Sequence, residues 1–466
     1  MKIERNDQQT PEVRQREVVV IGGGLTGLTT AFYALERHKD VEVVECSHRT
    51  GGQIHSFHEQ GFTSESGPNT GVISHPEVAE LFEALNPDCL LETARESSKK
   101  RLIWKGHRFH ALPAGLMGAV TTPLFSWYDK FRILGEPFRA KGTDPNESVG
   151  ALARRRLGKS YLNYAVDPFL SGVYAGDPLK LVTRYALPKL YQLEQAHGSF
   201  IKGALAKAKA PKSERDKRAT KKVFSMKGGL ESLVQALAHR IGDERITLNA
   251  QQIIVSPDEK GWKVSYNATD GVMHTIRCQK VITTVGAYAL PDLLPFVPKE
   301  EMQHISNLHY APVVQVAVGF RSTDGIDYPA FGGLIPSCEQ KKLLGILFPS
   351  ACFTDRAPEG GALHACFLGG VRHPEIVKMS DEEIRSLIEE GMTDLLKYHP
   401  KKRPDFIRIF RHERAIPQYE ANSSRRLEAI QNIQKDYPGL LLGGNIRDGI
   451  GMADRIKQGV NLSLEL

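Results

Sequence analysis

The feature that most constrains this chain is an apolar run ending in clustered glycines, Val18-Val-Val-Ile-Gly22-Gly23-Gly24-Leu25-Thr26-Gly27, followed by a second run, Val41-Glu-Val-Val, that ends on Glu45. A short strand can enter a tight turn at Gly22. The missing side chain at Gly24 leaves room for a pyrophosphate against the backbone, and Gly27 lets the next helix pack close to the strand. The helix N-terminus then faces the phosphates, and the Glu45 carboxylate can accept a bond from a ribose hydroxyl. A glycine triplet alone is a weak signal; strand, turn, helix, strand and terminal acid together predict a dinucleotide-binding unit.

Arg49-Thr-Gly51-Gly52 follows directly and supplies more backbone able to lie against phosphate and ring, which points to FAD over NAD. Near the other end, Gly439-Leu-Leu-Leu-Gly443-Gly444-Asn445 reads as a strand running into a glycine turn. Gly449-Ile450-Gly451-Met452 then opens a terminal helix from Ala453 to about Leu464. Aimed at a flavin, that helix start would set its positive end near the pyrimidine carbonyl, where charge gathers on reduction.

A chain of 466 residues outgrows one core, so two or three lobes are expected. The formal charge of +7 favours an anionic substrate or an acidic membrane surface, and no nucleic-acid motif accompanies it. The six cysteines show no metal-type spacing, so no metal site is expected, and their scatter without a recognisable leader peptide suggests a reducing cytosol. No continuous apolar stretch is long enough to span a bilayer. Ala111 to Tyr128 carries no charge but is rich in Leu, Val, Phe and Trp, and is broken by Pro113, Gly115, Gly118 and Pro123. Two readings stand for it, a peripheral dip into a membrane surface and the wall of an apolar pocket.

Residues 1–15 read as a polar lead-in. The predicted organisation is an α/β, Rossmann-type nucleotide domain discontinuous in sequence (16–75, 223–299 and 416–466), a mainly helical region (76–222) and a mixed-sheet substrate domain (300–415). Within these, Pro76–Leu85 and Ser148–Leu157 read as helices, and Arg101–Pro113 as a hairpin turning at Gly106. Lys202–Lys222, dense in Lys and Arg, reads as a mobile surface loop, with a membrane-facing basic patch as the sharper alternative. Beyond a helix ending at Arg240, strands are expected at Arg245–Val255, Gly261–Ala268, Met273–Gln279 and Lys280–Gly286. Others follow at Val313–Phe320, Leu343–Phe348, Ala362–Gly369 and Phe406–His412, with a helix at Ser380–Lys397.

Three further strings, Gly61-Phe-Thr-Ser-Glu-Ser-Gly67-Pro68-Asn69-Thr70, Leu170-Ser-Gly172-Val-Tyr-Ala-Gly176-Asp177 and Ala415-Ile-Pro417-Gln418-Tyr419, join Gly449-Ile-Gly-Met-Ala-Asp-Arg-Ile in a pattern that resembles the FAD-dependent protoporphyrinogen oxidase family from Val18 to Leu462. The nucleotide fingerprint is shared with wider amine-oxidase relatives; the Gly-Val-Tyr-Ala-Gly string is more specific. The resemblance implies a non-covalent FAD held by Gly22 to Gly27, Glu45, Cys46, Gly51, Gly52, Gln53, Gly67 to Thr70 and Ile450 to Met452, with a looser adenine contact near Gln252 and Ile253. It implies a substrate arginine at Arg101, apolar walls at Leu334, Leu347 and Phe367, and a backbone contact near the reacting ring at Gly172. The residue types suit such a ligand independently, since a wide apolar ring bearing carboxylates needs aliphatic and aromatic faces and a cation at its rim. The chain departs from the pattern after Tyr419, where Glu420-Ala-Asn-Ser-Ser replaces a common Gly-His pair, and at Ala453, where many members carry proline.

The implied reaction is hydride transfer from a porphyrinogen meso carbon to flavin N5 with loss of a pyrrole N–H proton, repeated until the ring is aromatic, with molecular oxygen reoxidising the flavin to give hydrogen peroxide. The Gly172 carbonyl would assist proton loss. Oxidation of coproporphyrinogen III and a non-catalytic FAD-containing porphyrin carrier stand as alternatives, and a homodimer is compatible with the pattern.

Overall fold

The computed structural model describes residues 13–113, 115–269 and 271–466; residues 1–12, most of the polar lead-in, lie outside them, as do Ala114 and the side chain of Leu116 in the uncharged stretch. Two seven-stranded sheets organise the described chain. In the first, β1 (Val13–Ile21) pairs in parallel with β2 (Val41–Val44), and β2 with Ile246–Thr247. On its other side β1 pairs in parallel with Met273–Thr283, whose last residues pair with Leu440–Leu442. Strands from the start, middle and end of the chain thus build one nucleotide sheet.

Alternation along the end of β1 explains why Val18–Ile21 is apolar on every residue. Val18 and Val20 face a layer formed by α1 (Leu25–Leu35), Glu231–Ile241 and the C-terminal helix Met452–Leu464. Val19 and Ile21 face Leu290–Leu293, Lys299–Ser306 and Ser423–Asp436. A strand buried on both faces loses the polar half of the usual alternation. The C-terminal helix sits against α1 at Gly459, where a Cβ would lie 2.9 Å from the Thr26 carbonyl oxygen.

Two strand boundaries differ from those the sequence suggests. The single strand expected at Arg245–Val255 is two, Ile246–Thr247 and Gln251–Asp258, because Asn249 between them adopts a left-handed φ of 57°; Gln252, at 49°, marks an irregularity inside the second strand. Conversely, Met273–Gln279 and Lys280–Gly286 fuse into Met273–Thr283, which runs parallel to β1 on one side and on the other is antiparallel to Gly261–Asn267 at its start and parallel to Leu440–Leu442 at its end.

The second sheet runs in the order Phe406–Pro417, Tyr310–Phe320, Ala362–Gly369, Leu343–Leu347, Gly332–Leu334, Arg101–Lys105, Arg108–Ala111. All its pairs are antiparallel except Gly332–Leu334 with Arg101–Lys105, so the early hairpin forms an edge of a sheet built mainly from residues beyond 300. One face is covered by Asp381–Asp394 through Ile384, Ile388 and Met392, a helix whose start is fixed by a reciprocal Ser380–Glu383 capping box. The other face looks toward the nucleotide sheet.

The region between is mostly helical and is pinned by Arg156, fully buried between Glu136 and Glu194. Within the basic segment read as a loop, the structure instead forms helices Phe200–Lys209 and Glu214–Lys217. Its alanines and lysines are strong helix formers, which offsets the lack of an apolar stripe. Arg215 pairs with Glu77 at 3.1 Å and Glu80 at 2.7 Å, docking the segment on the helix Pro76–Ala84.

Candidate functional site

The first turn is held together by its own backbone. Gly22 has φ +106°, and a Cβ on Gly27 would lie 1.9 Å from the Gly22 carbonyl oxygen, so both positions require glycine for the fold itself. Thr284, just past the central strand, donates to the Gly22 carbonyl at 3.1 Å and staples the turn from the far side. Gly24 is different: its backbone is extended (φ −77°, ψ 179°) and a Cβ there would meet nothing within 4 Å. The described protein does not need glycine at Gly24, and the open space beside it, at the start of α1 with Leu25 and Thr26, suits a pyrophosphate.

Glu45 accepts the Gly23 N–H at 2.6 Å through Oε2 and the Ser47 N–H at 2.9 Å through Oε1. Gly51 donates its N–H to the Gly23 carbonyl at 2.8 Å, and Gly52 lies against Gly24, so the two glycine stretches stack. Gln53 is exposed, and its carbonyl would be 2.2 Å from a Cβ on Gly67; that close approach draws Gly67, Pro68, Asn69 and Thr70 beside the same turn. Cys46 is exposed, with partial desolvation and the Glu45 carboxylate pushing its thiol up. Ala250 donates to the Glu45 carbonyl at 3.0 Å and Gln251 to the Cys46 carbonyl at 2.8 Å. This brings Gln252 and Ile253 to the ribose end, although the Gln252 amide oxygen is taken by Asn267 at 2.7 Å.

The C-terminal helix begins at Gly451, between Ile450 and Met452, beside these loops. Its first N–H is not bare: Gly451 donates to the Asp454 carboxylate at 3.1 Å, and Asp454 also faces His75 Nε2 at 3.3 Å. Burial alone would push the Asp454 carboxyl up, yet the His75 and Gly451 contacts hold it below the usual range. The positive end of this helix is therefore shared with its own acid, a contact legible in the Gly451-x-x-Asp454 spacing but overlooked.

Register in the second sheet collects the predicted substrate residues. Arg101, Gly332, Leu347 and Ala365 stand opposite one another across four strands. Two residues along, Ile103, Leu334, Gly345, Phe367 and Gln315 form the next row. Rows two residues apart share a face, so Arg101, Leu334, Leu347 and Phe367 all lie on the face turned toward the nucleotide sheet. Arg101 is exposed, its guanidinium 5.7 Å from the Phe331 ring centroid and without an ion pair or hydrogen bond among the described residues. Gly172 reaches this face from the helix Asp167–Val173, where a Cβ would sit 2.4 Å from Leu334 Cδ2. No donor among the described residues bonds to the Gly172 carbonyl, because Gly176 N–H turns to Leu170 instead.

Two residues that the sequence reading missed join the two halves. Gln315, from the same sheet face, donates to the Glu65 carbonyl at 2.6 Å, and His412 Nε2 meets the Ser66 carbonyl at 2.6 Å, just ahead of Gly67. A polar Gln in the middle of the apolar strand Tyr310–Phe320 was the available signal. The Glu65 side chain is buried, accepting from Ser56 at 2.7 Å and Leu230 N–H at 2.9 Å; burial outweighs these bonds and pushes its carboxyl up to about 7.

Known proteins agree with this geometry. The family model for flavin containing amine oxidoreductases matches residues 25–460. Protoporphyrinogen oxidase 2 of Arabidopsis thaliana is 30% identical over 97% of this chain and 94% of its own length. Coproporphyrinogen III oxidase of Bacillus subtilis is 27% identical over 96% of each. A crystal structure of a candidate protoporphyrinogen oxidase from Exiguobacterium sp. 255-15 superposes with a TM-score of 0.78 over 98% of this chain and 99% of that one, at 22% identity, a likeness of fold. A flavin cofactor follows from the family, and this chain belongs to the flavin-containing amine oxidoreductases, in their protoporphyrinogen oxidase branch.

Proposed function

We propose that this chain oxidises protoporphyrinogen IX to protoporphyrin IX with a non-covalently held FAD, passing electrons on to molecular oxygen. The observation that carries the reading is the single sheet face on which Arg101, Leu334, Leu347 and Phe367 stand together, with Gly172 against Leu334 and the nucleotide loops beside it. When bound, the flavin supplies the two-electron acceptor that no side chain can provide. Leu334, Leu347 and Phe367 give a flat tetrapyrrole its apolar floor and exclude water. Arg101, unpaired at the rim, offers a planar fork to a propionate. The Gly172 carbonyl, with no donor of its own, can accept a pyrrole N–H and hold that proton as the ring loses its hydride. Positioning is the main protein contribution to such a step.

Side-by-side assays of protoporphyrinogen IX and coproporphyrinogen III, following porphyrin fluorescence and peroxide, test this reading. It expects protoporphyrinogen IX to have the higher kcat/KM. The reverse order would assign the earlier substrate, and no turnover of either would leave a carrier.

A peripheral membrane contact is favoured by one observation. Trp127, Tyr128, Phe131 and Leu134 all lie exposed on the helix Trp127–Leu134, and Phe138 beyond it is 88% exposed. Leu124 and Phe125, by contrast, are buried near Ile103, so the uncharged stretch divides between pocket support and outer surface. No helix among the described residues is long and apolar enough to cross a membrane. Trp127→Asp with Phe131→Asp should abolish sedimentation with anionic vesicles while leaving the flavin spectrum intact; wild-type protein that does not sediment would end this reading.

A further inference from the structure

Gly172 and the loop 449–451 lie far apart in sequence, and one dipeptide touches the surroundings of both. Gln418, 1% exposed, donates through Nε2 to the Tyr174 carbonyl at 2.8 Å, directly after the Gly172 helix, and to the Ile416 carbonyl at 3.0 Å. A Cβ on Gly176 would lie 2.5 Å from Gln418 Oε1, so that glycine makes the room the amide fills. Tyr419, the next residue, reaches the other way. Its hydroxyl accepts the Gly449 N–H at 2.9 Å, while its backbone carbonyl accepts the Val182 N–H at 2.8 Å.

Beneath the Tyr419 ring lies Arg426, whose guanidinium carbon is 5.2 Å from the ring centroid. This arginine is buried, and its Nε and Nη2 make no hydrogen bond among the described residues. Its Nη1 reaches back to the Gln418 carbonyl at 3.4 Å. Arg426 comes from the first turn of Ser423–Asp436, reached through the segment from Glu420 that departs from the family pattern. A buried guanidinium without a carboxylate is costly, and the ring face partly compensates it. The opposite end of the Gly172 helix is tied to the second sheet, since Asp167 accepts the Ser337 N–H at 2.8 Å and pairs with Arg372 at 2.7 Å. The Tyr174 end is held by Gln418 together with the Val371 N–H on the Ala175 carbonyl at 2.8 Å and the Tyr174 hydroxyl on the Ala186 carbonyl at 2.6 Å, and of these only Gln418 leads on to the Gly449 loop.

We propose that Gln418 and Tyr419 are a pair of positioning residues that hold the Gly172 carbonyl and the Gly449–Gly451 loop at one separation, and with it the distance between a bound porphyrinogen and the flavin. This rests on the function proposed above. Neither side chain reaches the proposed reaction site; Gln418 holds the backbone two residues beyond Gly172, and Tyr419 holds the loop that leads into Gly451. Because a displacement of about 1 Å costs on the order of a hundredfold in turnover, such a brace acts on rate more than on affinity.

Tyr419→Phe and Gln418→Met, prepared as holoenzymes, separate the two arms. Tyr419→Phe should speed FAD release about threefold to tenfold, the effect of one neutral hydrogen bond, and change the visible circular dichroism of the flavin. Gln418→Met should lower kcat for protoporphyrinogen IX by about tenfold or more, with KM and FAD release near wild type. If Gln418→Met yields no folded holoenzyme, Gln418→Asn, which keeps the amide but shortens its reach, carries the same test. Lowered thermal midpoints with wild-type FAD release, dichroism and kcat in both positions would overturn the proposal and leave plain packing. A wild-type protein that turns over no porphyrinogen would count against the proposed substrate, while FAD release from Tyr419→Phe would still decide the clamp on the loop.

Discussion

Gly172→Ala sets stability and activity against each other in a way the structure quantifies. The residue lies in the helix Asp167–Val173, where alanine is favoured over glycine by about 0.5–1 kcal/mol. The new methyl would meet Leu334 Cδ2 at 2.4 Å, and overpacking of this kind costs about 1–3 kcal/mol. The two effects largely cancel, so the thermal midpoint should move by only a few degrees. Leu334 must nevertheless yield. Ile103 and Phe125 pack against it, and the open side lies above Gly345, whose missing side chain leaves room on the face shared with Leu347 and Phe367. A leucine pushed into the space for a flat tetrapyrrole should raise KM and lower kcat, together about a hundredfold in kcat/KM. Steady-state kinetics on Gly172→Ala, Leu334→Ala and the double variant, with flavin content matched, measure this, and removing the Leu334 side chain should restore much of the lost activity. Wild-type kinetics in Gly172→Ala, or strictly additive losses in the double variant, would refute the steric argument.

Gly24→Val should give a folded protein with little bound flavin, because a Cβ there meets nothing within 4 Å and the branched side chain extends into the space suited to pyrophosphate; absorbance per polypeptide after gel filtration checks it. Arg101→Ala should raise KM for porphyrinogen about tenfold or more with a smaller change in kcat, since a charge-assisted bond to a propionate is worth about 1.5–3 kcal/mol in ground and transition states alike. Arg101→Lys should recover only part of that loss in the same kinetics. The Glu65 carboxyl holds its proton up to about pH 7 when folded but releases it near its ordinary value of 4.5 when unfolded, so stability should fall as pH rises through that window, by roughly 3 kcal/mol. Urea unfolding of wild type and Glu65→Gln across the same range should show a flatter profile in the variant.

The nucleotide half was legible because its signals are local. Gly22 to Gly27, Glu45 and the glycines before the last helix each announce a turn or a strand end within a few residues. What joins the halves was not legible, because Gln315 and His412 act through carbonyls of a distant loop, and nothing in their neighbours reveals those partners. The hairpin beginning at Arg101 illustrates the same limit. Its alternation was readable, but its place beside Gly332–Leu334 depends on a pairing across about half the chain. The basic segment misled for another reason: it lacks an apolar stripe, and its helices are supported by alanine content and by Glu77 and Glu80 on another element. Asp454 is legible as a capping residue from its place three residues after Gly451.

Anaerobic mixing of the purified flavoprotein with protoporphyrinogen IX tests the central claim most directly. The account predicts that the absorbance of the oxidised flavin fades as porphyrin fluorescence appears, and that admitting oxygen restores the flavin with formation of hydrogen peroxide. A flavin that stays oxidised throughout, in protein that retains its full cofactor content, would contradict it.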